Sequence, residues 1–251
     1  MYSPLEQFAV NPILPFNFPV FGSLYFSLTN SSLSLLLIGA ILICFMHFIL
    51  QSGTFLIPTR WQSIIEMVYE FCTNLVSEQI GNSGKHFFPI VFSLFVFILS
   101  CNLVGMAPYS FCVTAHIAIT FTLSFMVFFA MTFVGFKEHG LHFFAFFLPP
   151  GAPLALAPFL VVIEIVSYSF RGISLGVRLF ANMCAGHCLI KILAGFGWIM
   201  FKAGGIITIG GFMPVIVVFV LMFLEVAVAF LQAYVFTILT CIYLNDAIHL
   251  H

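Results

Sequence analysis

A chain of 251 residues that is 63% hydrophobic and 6% charged, with a mean hydropathy of +1.21, lies far from the roughly 25% charge of a soluble domain and reads as an integral membrane protein. Its 7 basic and 8 acidic residues leave a net charge of -1, so no basic surface argues for nucleic acid or for anionic lipid headgroups. Seven cysteines (Cys44, Cys72, Cys101, Cys112, Cys184, Cys188, Cys241) sit mostly in apolar runs, at spacings that match neither a disulfide framework nor a CxxC site, and read as small buried packers.

The opening residues, Met1-Tyr-Ser-Pro-Leu-Glu-Gln-Phe8, lack both a basic n-region with an apolar core and an Arg-rich amphipathic stretch. Neither a signal peptide nor a transit peptide is expected, which fits synthesis in the compartment of insertion. After this Pro-rich lead (residues 1–33), the apolar run 34–50 has the length of a spanning helix once its flanks add a turn. Residues 58–80 change character: Trp61, Ile64, Ile65, Val68, Phe71, Cys72 and Leu75 recur at helical spacing, while Gln62, Ser63, Glu66, Glu70, Thr73 and Ser77 fill the other face. This pattern predicts an amphipathic helix lying at the membrane surface.

Gly81 and Gly84 end that helix, and two further apolar runs within 87–134 predict a transmembrane hairpin with a tight turn near Pro108-Tyr-Ser110. Pro149-Pro-Gly-Ala-Pro153 is a rigid break. The remaining segments, 158–198 and 214–247, are each too long to stand upright: roughly 40 helical residues reach about 60 Å, twice the roughly 30 Å hydrocarbon thickness. No proline interrupts either, so two long, strongly tilted helices are expected, folded as a hairpin about Gly204-Gly205 and Gly210-Gly211. Glycines 172, 176, 186 and 195 permit close helix packing along the first of them. The expected class is therefore an all-α integral membrane protein forming one membrane domain over residues 1–251. Arg60, Lys85 and Lys137 fall on one side, which should be the negative, cytoplasm-like compartment; only Lys202 opposes this.

Polar residues inside these apolar segments are expensive and so mark function by default. Glu164, Arg171, Arg178 and Asn182 fall within roughly 40° of one another on a helix and form one stripe. His187 is rotated by roughly 180° from Arg178 and displaced by about 13–14 Å along the axis. On the last helix Glu225, Gln232 and Asp246 drift slowly around one face. Arginine stays protonated and can attract or block but not relay a proton, whereas His187 and Glu225 can relay. Asn182 and Gln232 can only orient neighbours or hold water. The competing structural reading pairs Arg171 with Glu164, or Arg178 with Glu225, to fix helix register. Cys184, His187 and Cys188 lack a fourth ligand for structural zinc, so neither a metal nor a cofactor is expected.

Two segments carry a resemblance. Ser174-Leu-Gly-Val-Arg-Leu-Phe-Ala-Asn-Met-Cys-Ala-Gly-His187 and Leu231-Gln-Ala-Tyr-Val-Phe-Thr-Ile-Leu-Thr-Cys-Ile-Tyr-Leu-Asn-Asp246 resemble the fifth and sixth helix signatures of subunit a of F-type ATP synthases. Asn102-Leu-Val-Gly-Met-Ala-Pro-Tyr-Ser110, Thr114-Ala-His116 and Gly140-Leu-His-Phe-Phe144 extend the likeness, and Pro4-Leu-Glu-Gln-Phe8 resembles plant-type mitochondrial members. The resemblance implies a stator subunit with two offset half-channels that load and unload protons on a rotating c-ring, with Arg178 separating them. It places His187 and Glu225 in the entry channel, Glu164 in the exit channel, and Asn182 and Gln232 around Arg178, with Asp246 as a supporting polar position. Implied partners are the c-ring, the peripheral stalk, other Fo membrane subunits and the lipid bilayer, with ATP chemistry on other chains. The implied location is the mitochondrial inner membrane, N-terminus toward the intermembrane space and C-terminus toward the matrix. Gly172, Cys184 and Cys188 depart slightly from the family pattern. A self-contained secondary transporter with a midplane site is the alternative reading, though inverted repeats are not apparent. A structural membrane scaffold is a third.

Overall fold

The computed structural model describes residues 4–17, 25–51, 58–107, 110–140, 143 and 157–248. The expected break at 149–153, Pro108 and Tyr109 of the expected turn, His142, His249 and His251 lie outside the described residues. The protein is an all-α membrane protein, with α1 (Asn30–Gln51), α2 (Arg60–Gln79), α3 (Phe88–Gly105), α4 (Ile117–His139), α5 (Ala157–Ala203), the short α6 (Ile206–Gly210) and α7 (Phe212–Ile248). Among the described residues, five stretches are long and apolar enough to cross a membrane: Asn30–Phe48, Gly84–Gly105, Ile117–His139, Pro158–Ala203 and Thr208–Ile248. α2 is a regular helix but is not among them.

One element was not legible in the lead: Pro12–Asn17 (β1) pairs antiparallel with Tyr25–Thr29 (β2). The ribbon feeds directly into α1, whose start is capped reciprocally. The Thr29 backbone N–H donates to Ser32 Oγ at 3.0 Å, and the Ser32 N–H donates to Thr29 Oγ1 at 3.3 Å. Asn30 then ties the helix start to the preceding chain, donating from Nδ2 to the Ala9 carbonyl at 3.0 Å and accepting from the Asn11 N–H at 3.2 Å.

Two compact units divide the chain. The first contains Met1–Ser52, Phe97–His116 and Phe180–Gln232. Here α5 and α7 approach in the order of an antiparallel hairpin: Asn182 meets Gln232, His187 meets Glu225, and a Cβ at Gly197 would lie 3.7 Å from Pro214. The reversal is built from glycine: Gly204 and Gly205 adopt φ of 72° and 66°, a region that side chains with a Cβ disfavour. Pro214 falls in the first turn of α7, where its missing N–H breaks no helical bond. A small core gathers Cys112, Ala115, Met183 and Ala229, with Phe8 and Met106 packed against it. Asn102, fully buried, donates from Nδ2 to the Ala229 carbonyl at 3.3 Å.

The second unit contains Gly53–Val96, Ile117–Leu179 and Ala233–His251. Gly172 and Gly176 let α5 close on α4, since a Cβ would stand 3.2 Å from Phe128 at the first and 3.2 Å from Ser124 Cβ at the second. Ser124 Oγ donates to the Gly172 carbonyl in that gap, and Tyr168 Oη and Thr132 Oγ1 lie 2.9 Å apart one turn farther on. Gly195, expected to pack similarly, instead meets nothing within 4 Å, so its lack of a side chain serves no contact among the described residues. α2 buries Cys72, Leu75 and Val76, and Phe71 packs its ring against Phe95 and Tyr234. Trp61, Ile64 and Met67, at the other end of α2, stay exposed.

Candidate functional site

Polar side chains of the spanning helices divide into those with partners and those without. Arg171 on α5 belongs to the first kind. Its Nη1 donates to Asp246 Oδ2 at 3.0 Å, the two side chains being 26% and 30% exposed. Its guanidinium also sits 5.9 Å from the Tyr168 ring centroid and 5.5 Å from that of Tyr243, near enough for cation–π attraction. The pairing of Arg171 with Glu164 read from i,i+7 spacing is thus replaced: the carboxylate that meets Arg171 comes from α7, seventy-five positions away. Asp246 accordingly serves as that partner, and Glu164, half-buried on α5, makes no ion pair among the described residues.

Arg178 belongs to the second kind. It is exposed, and it makes no hydrogen bond or ion pair among the described residues, with neither Glu225 nor any other carboxylate. Ser174, Val177, Ala181, Asn182 and Ala185 are exposed on the same stretch of α5, so apart from Val177 the residues beside Arg178 are short. A guanidinium in such a place can neither deprotonate nor turn to an internal carboxylate. It is available to one supplied from outside the chain.

Asn182 donates from Nδ2 to Gln232 Oε1 at 2.8 Å. Gln232 is 3% exposed, and its Nε2 is buried with no hydrogen-bond partner. His187 and Glu225 face each other at 3.7 Å between Nε2 and Oε1, beyond hydrogen-bond length, and both atoms are buried without a partner. Gly186 makes room for this: a Cβ there would lie 2.7 Å from Glu225 Oε1. Buried polar atoms are almost always satisfied, so an imidazole and a carboxylate left facing each other across such a gap stand apart from the paired polar groups of the fold.

Both residues line a cavity of about 550 Å³ that also touches Gln7, Phe8, Asn30, Gly105, Met106, Ala107, Ser110, Phe111, Cys112, Ile190 and Met222. Ser110 Oγ donates to the Ala107 carbonyl at 2.7 Å and to that of Gly105 at 3.1 Å. His116 packs on two of these lining rings, stacked on Phe111 at 4.8 Å and edge-on to Phe8 at 6.3 Å; burial lowers the pKa of its imidazole and favours the neutral form. Gln7 and Cys112 were not found from the sequence as lining residues, because an amide in a Pro-rich lead and a thiol in a turn belong to no helical period. Among the described residues no group of three or more His, Cys, Asp or Glu side chains is arranged to hold a metal.

The ATP synthase A chain family model matches residues 32–245. The chain is 55% identical over 252 residues to ATP synthase subunit a of Marchantia polymorpha, with 99% of each covered. It is 54% identical over 255 residues to that of Brassica napus, covering 99% of this chain and 97% of the relative. With that of Chondrus crispus the identity is 47% over 249 residues, covering 99% and 97%.

Proposed function

The chain belongs to the ATP synthase A chain family, and from that premise we propose that it is the proton-channel subunit of an F-type ATP synthase in the mitochondrial inner membrane. One observation carries the reading: Arg178 lies exposed, with no hydrogen bond or ion pair among the described residues, within an apolar helix of 47 residues. A permanent cation in hydrocarbon costs at least about 2.5–3.5 kcal/mol, so a carboxylate brought to it from another chain is the natural counter-ion. A ring of c subunits would present such carboxylates in turn, and the short side chains beside Arg178 would let the ring's helices come close.

His187 and Glu225, in their cavity, then serve as the entry half-channel, and Glu164 as part of the exit half-channel. Asn182, one helical turn beyond Arg178, and Gln232 keep the approach polar without titrating. Because arginine cannot release its proton, Arg178 stops protons from passing between the half-channels without riding the ring. The driving force is modest, about 2.3 kcal/mol per proton at 100 mV, so leakage past this point would defeat synthesis. ATP chemistry resides on other subunits, and the peripheral stalk and other Fo subunits hold this chain against the turning ring. α5 and α7 cross the bilayer strongly tilted, since 47 and 37 residues reach about 70 and 55 Å if helical throughout. α2 lies at the membrane surface, and the N-terminus faces the intermembrane space with the C-terminus toward the matrix.

The test is Arg178→Ala in the assembled complex. Coupled ATP synthesis should fall to background while the complex still assembles. Normal synthesis would rule the reading out.

A further inference from the structure

The N-terminal segment is built into the cavity wall. Residues Pro4–Phe8 form one 3-10 turn, Gln7 and Phe8 both line the cavity, and Asn30 pins the following chain through Ala9 and Asn11. Phe8 alone would suffice for packing, since it covers the Cys112, Ala115, Met183 and Ala229 core and meets His116 edge-on. Gln7 is different. Its Nε2 is buried and has no hydrogen-bond partner, as is true of His187 Nε2 and Glu225 Oε1 in the same cavity. Leaving a buried polar atom unpaired costs about 1–3 kcal/mol, so an amide nitrogen, an imidazole nitrogen and a carboxylate oxygen around one polar space point to a shared content that hydrogen-bonds to all of them.

We infer that Gln7 is a positioning residue of the proton path: the N-terminal strap closes the His187–Glu225 cavity, and the Gln7 amide orients the hydrogen-bonded solvent through which protons reach that pair. This rests on the channel reading of His187 and Glu225 given above. An amide donates and accepts but does not titrate at physiological pH, so Gln7 orders the chain of proton carriers without becoming one. The titratable groups around it are Cys112, His187 and Glu225 in the cavity, His116 behind Phe8, and Glu6 on the strap itself.

The experiment measures proton flux against pH in inner-membrane vesicles holding equal amounts of assembled complex, for the wild type, Gln7→Leu, Gln7→Glu and Glu225→Gln. Gln7→Leu should slow flux about two- to tenfold, the effect of losing one hydrogen bond from the path. Gln7→Glu places a negative charge in the cavity, which favours the protonated forms of His187 and Glu225 and should move the flux profile toward higher pH. A strap that only packs would leave the profile where it was. Unchanged flux in Gln7→Leu, or an unshifted profile in Gln7→Glu, overturns the inference. If Gln7→Leu fails to assemble, the Gln7→Glu profile decides alone. Collapse of flux in Glu225→Gln beside normal behaviour of both Gln7 variants would reject the role of Gln7 and keep the channel; normal flux in Glu225→Gln would reject both.

Discussion

Arg171 and Arg178 are the same residue type, seven positions apart on one helix, yet their surroundings are opposite. Arg171 is closed: a carboxylate at 3.0 Å and two aromatic rings meet its guanidinium. Arg178 is open, exposed and without an internal counter-ion among the described residues. The same division runs through the other polar groups. Ser124 on the Gly172 carbonyl is spent within the fold, whereas the facing atoms of His187 and Glu225 are not. Polar groups satisfied inside the chain fix helix register, and in the proposed channel the open ones are where an exchanged proton or another subunit would act.

Three substitutions sharpen that contrast. The largest effect is expected from Glu225→Gln, which keeps the shape of an open group but removes its titration; proton flux per assembled complex should fall about 100-fold, the scale of losing a proton-transfer group. Gly186→Ala is intermediate. Its new Cβ, 2.7 Å from Glu225 Oε1, must push the carboxylate away, and because a side-chain end can yield, the complex should assemble with flux reduced about two- to tenfold. Flux equal to wild type would mean that the His187–Glu225 separation does not matter.

Arg171→Ala should change flux per complex least and stability most. Losing the partner of a part-buried carboxylate costs about 1–3 kcal/mol, below the cost for a fully buried pair because both side chains keep some exposure. The readout is the yield and thermal midpoint of the assembled complex, with Asp246→Ala and the double variant completing a cycle whose costs should not add. Additive costs would mean that the pair is not energetically coupled.

Much of this contrast was legible in the sequence, and its limits are instructive. Proline-free apolar stretches announced α5 and α7, because length and breakers are local properties, and the glycine pairs located the reversal between them. Helical spacing placed Arg178 and His187 on different sides of one helix. What spacing could not reach was the partner of Arg171: Glu164 is one heptad away and looked sufficient, while Asp246 is brought in only by tertiary packing of α7. The β1–β2 ribbon and Gln7 escaped for another reason. Their segment is rich in proline and carries no period that would mark a strand or a buried face.

In the proposed channel the open arginine performs the work and the closed one holds the helix. Arg171→Ala and Arg178→Ala should be compared in vesicles at equal amounts of assembled complex, measuring coupled ATP synthesis and passive proton leak together. Arg178→Ala should show background synthesis with a raised leak, and Arg171→Ala synthesis within about twofold of wild type, as expected when only a structural contact is lost. Background synthesis in a fully assembled Arg171→Ala complex, or normal synthesis in Arg178→Ala, would contradict this division of roles.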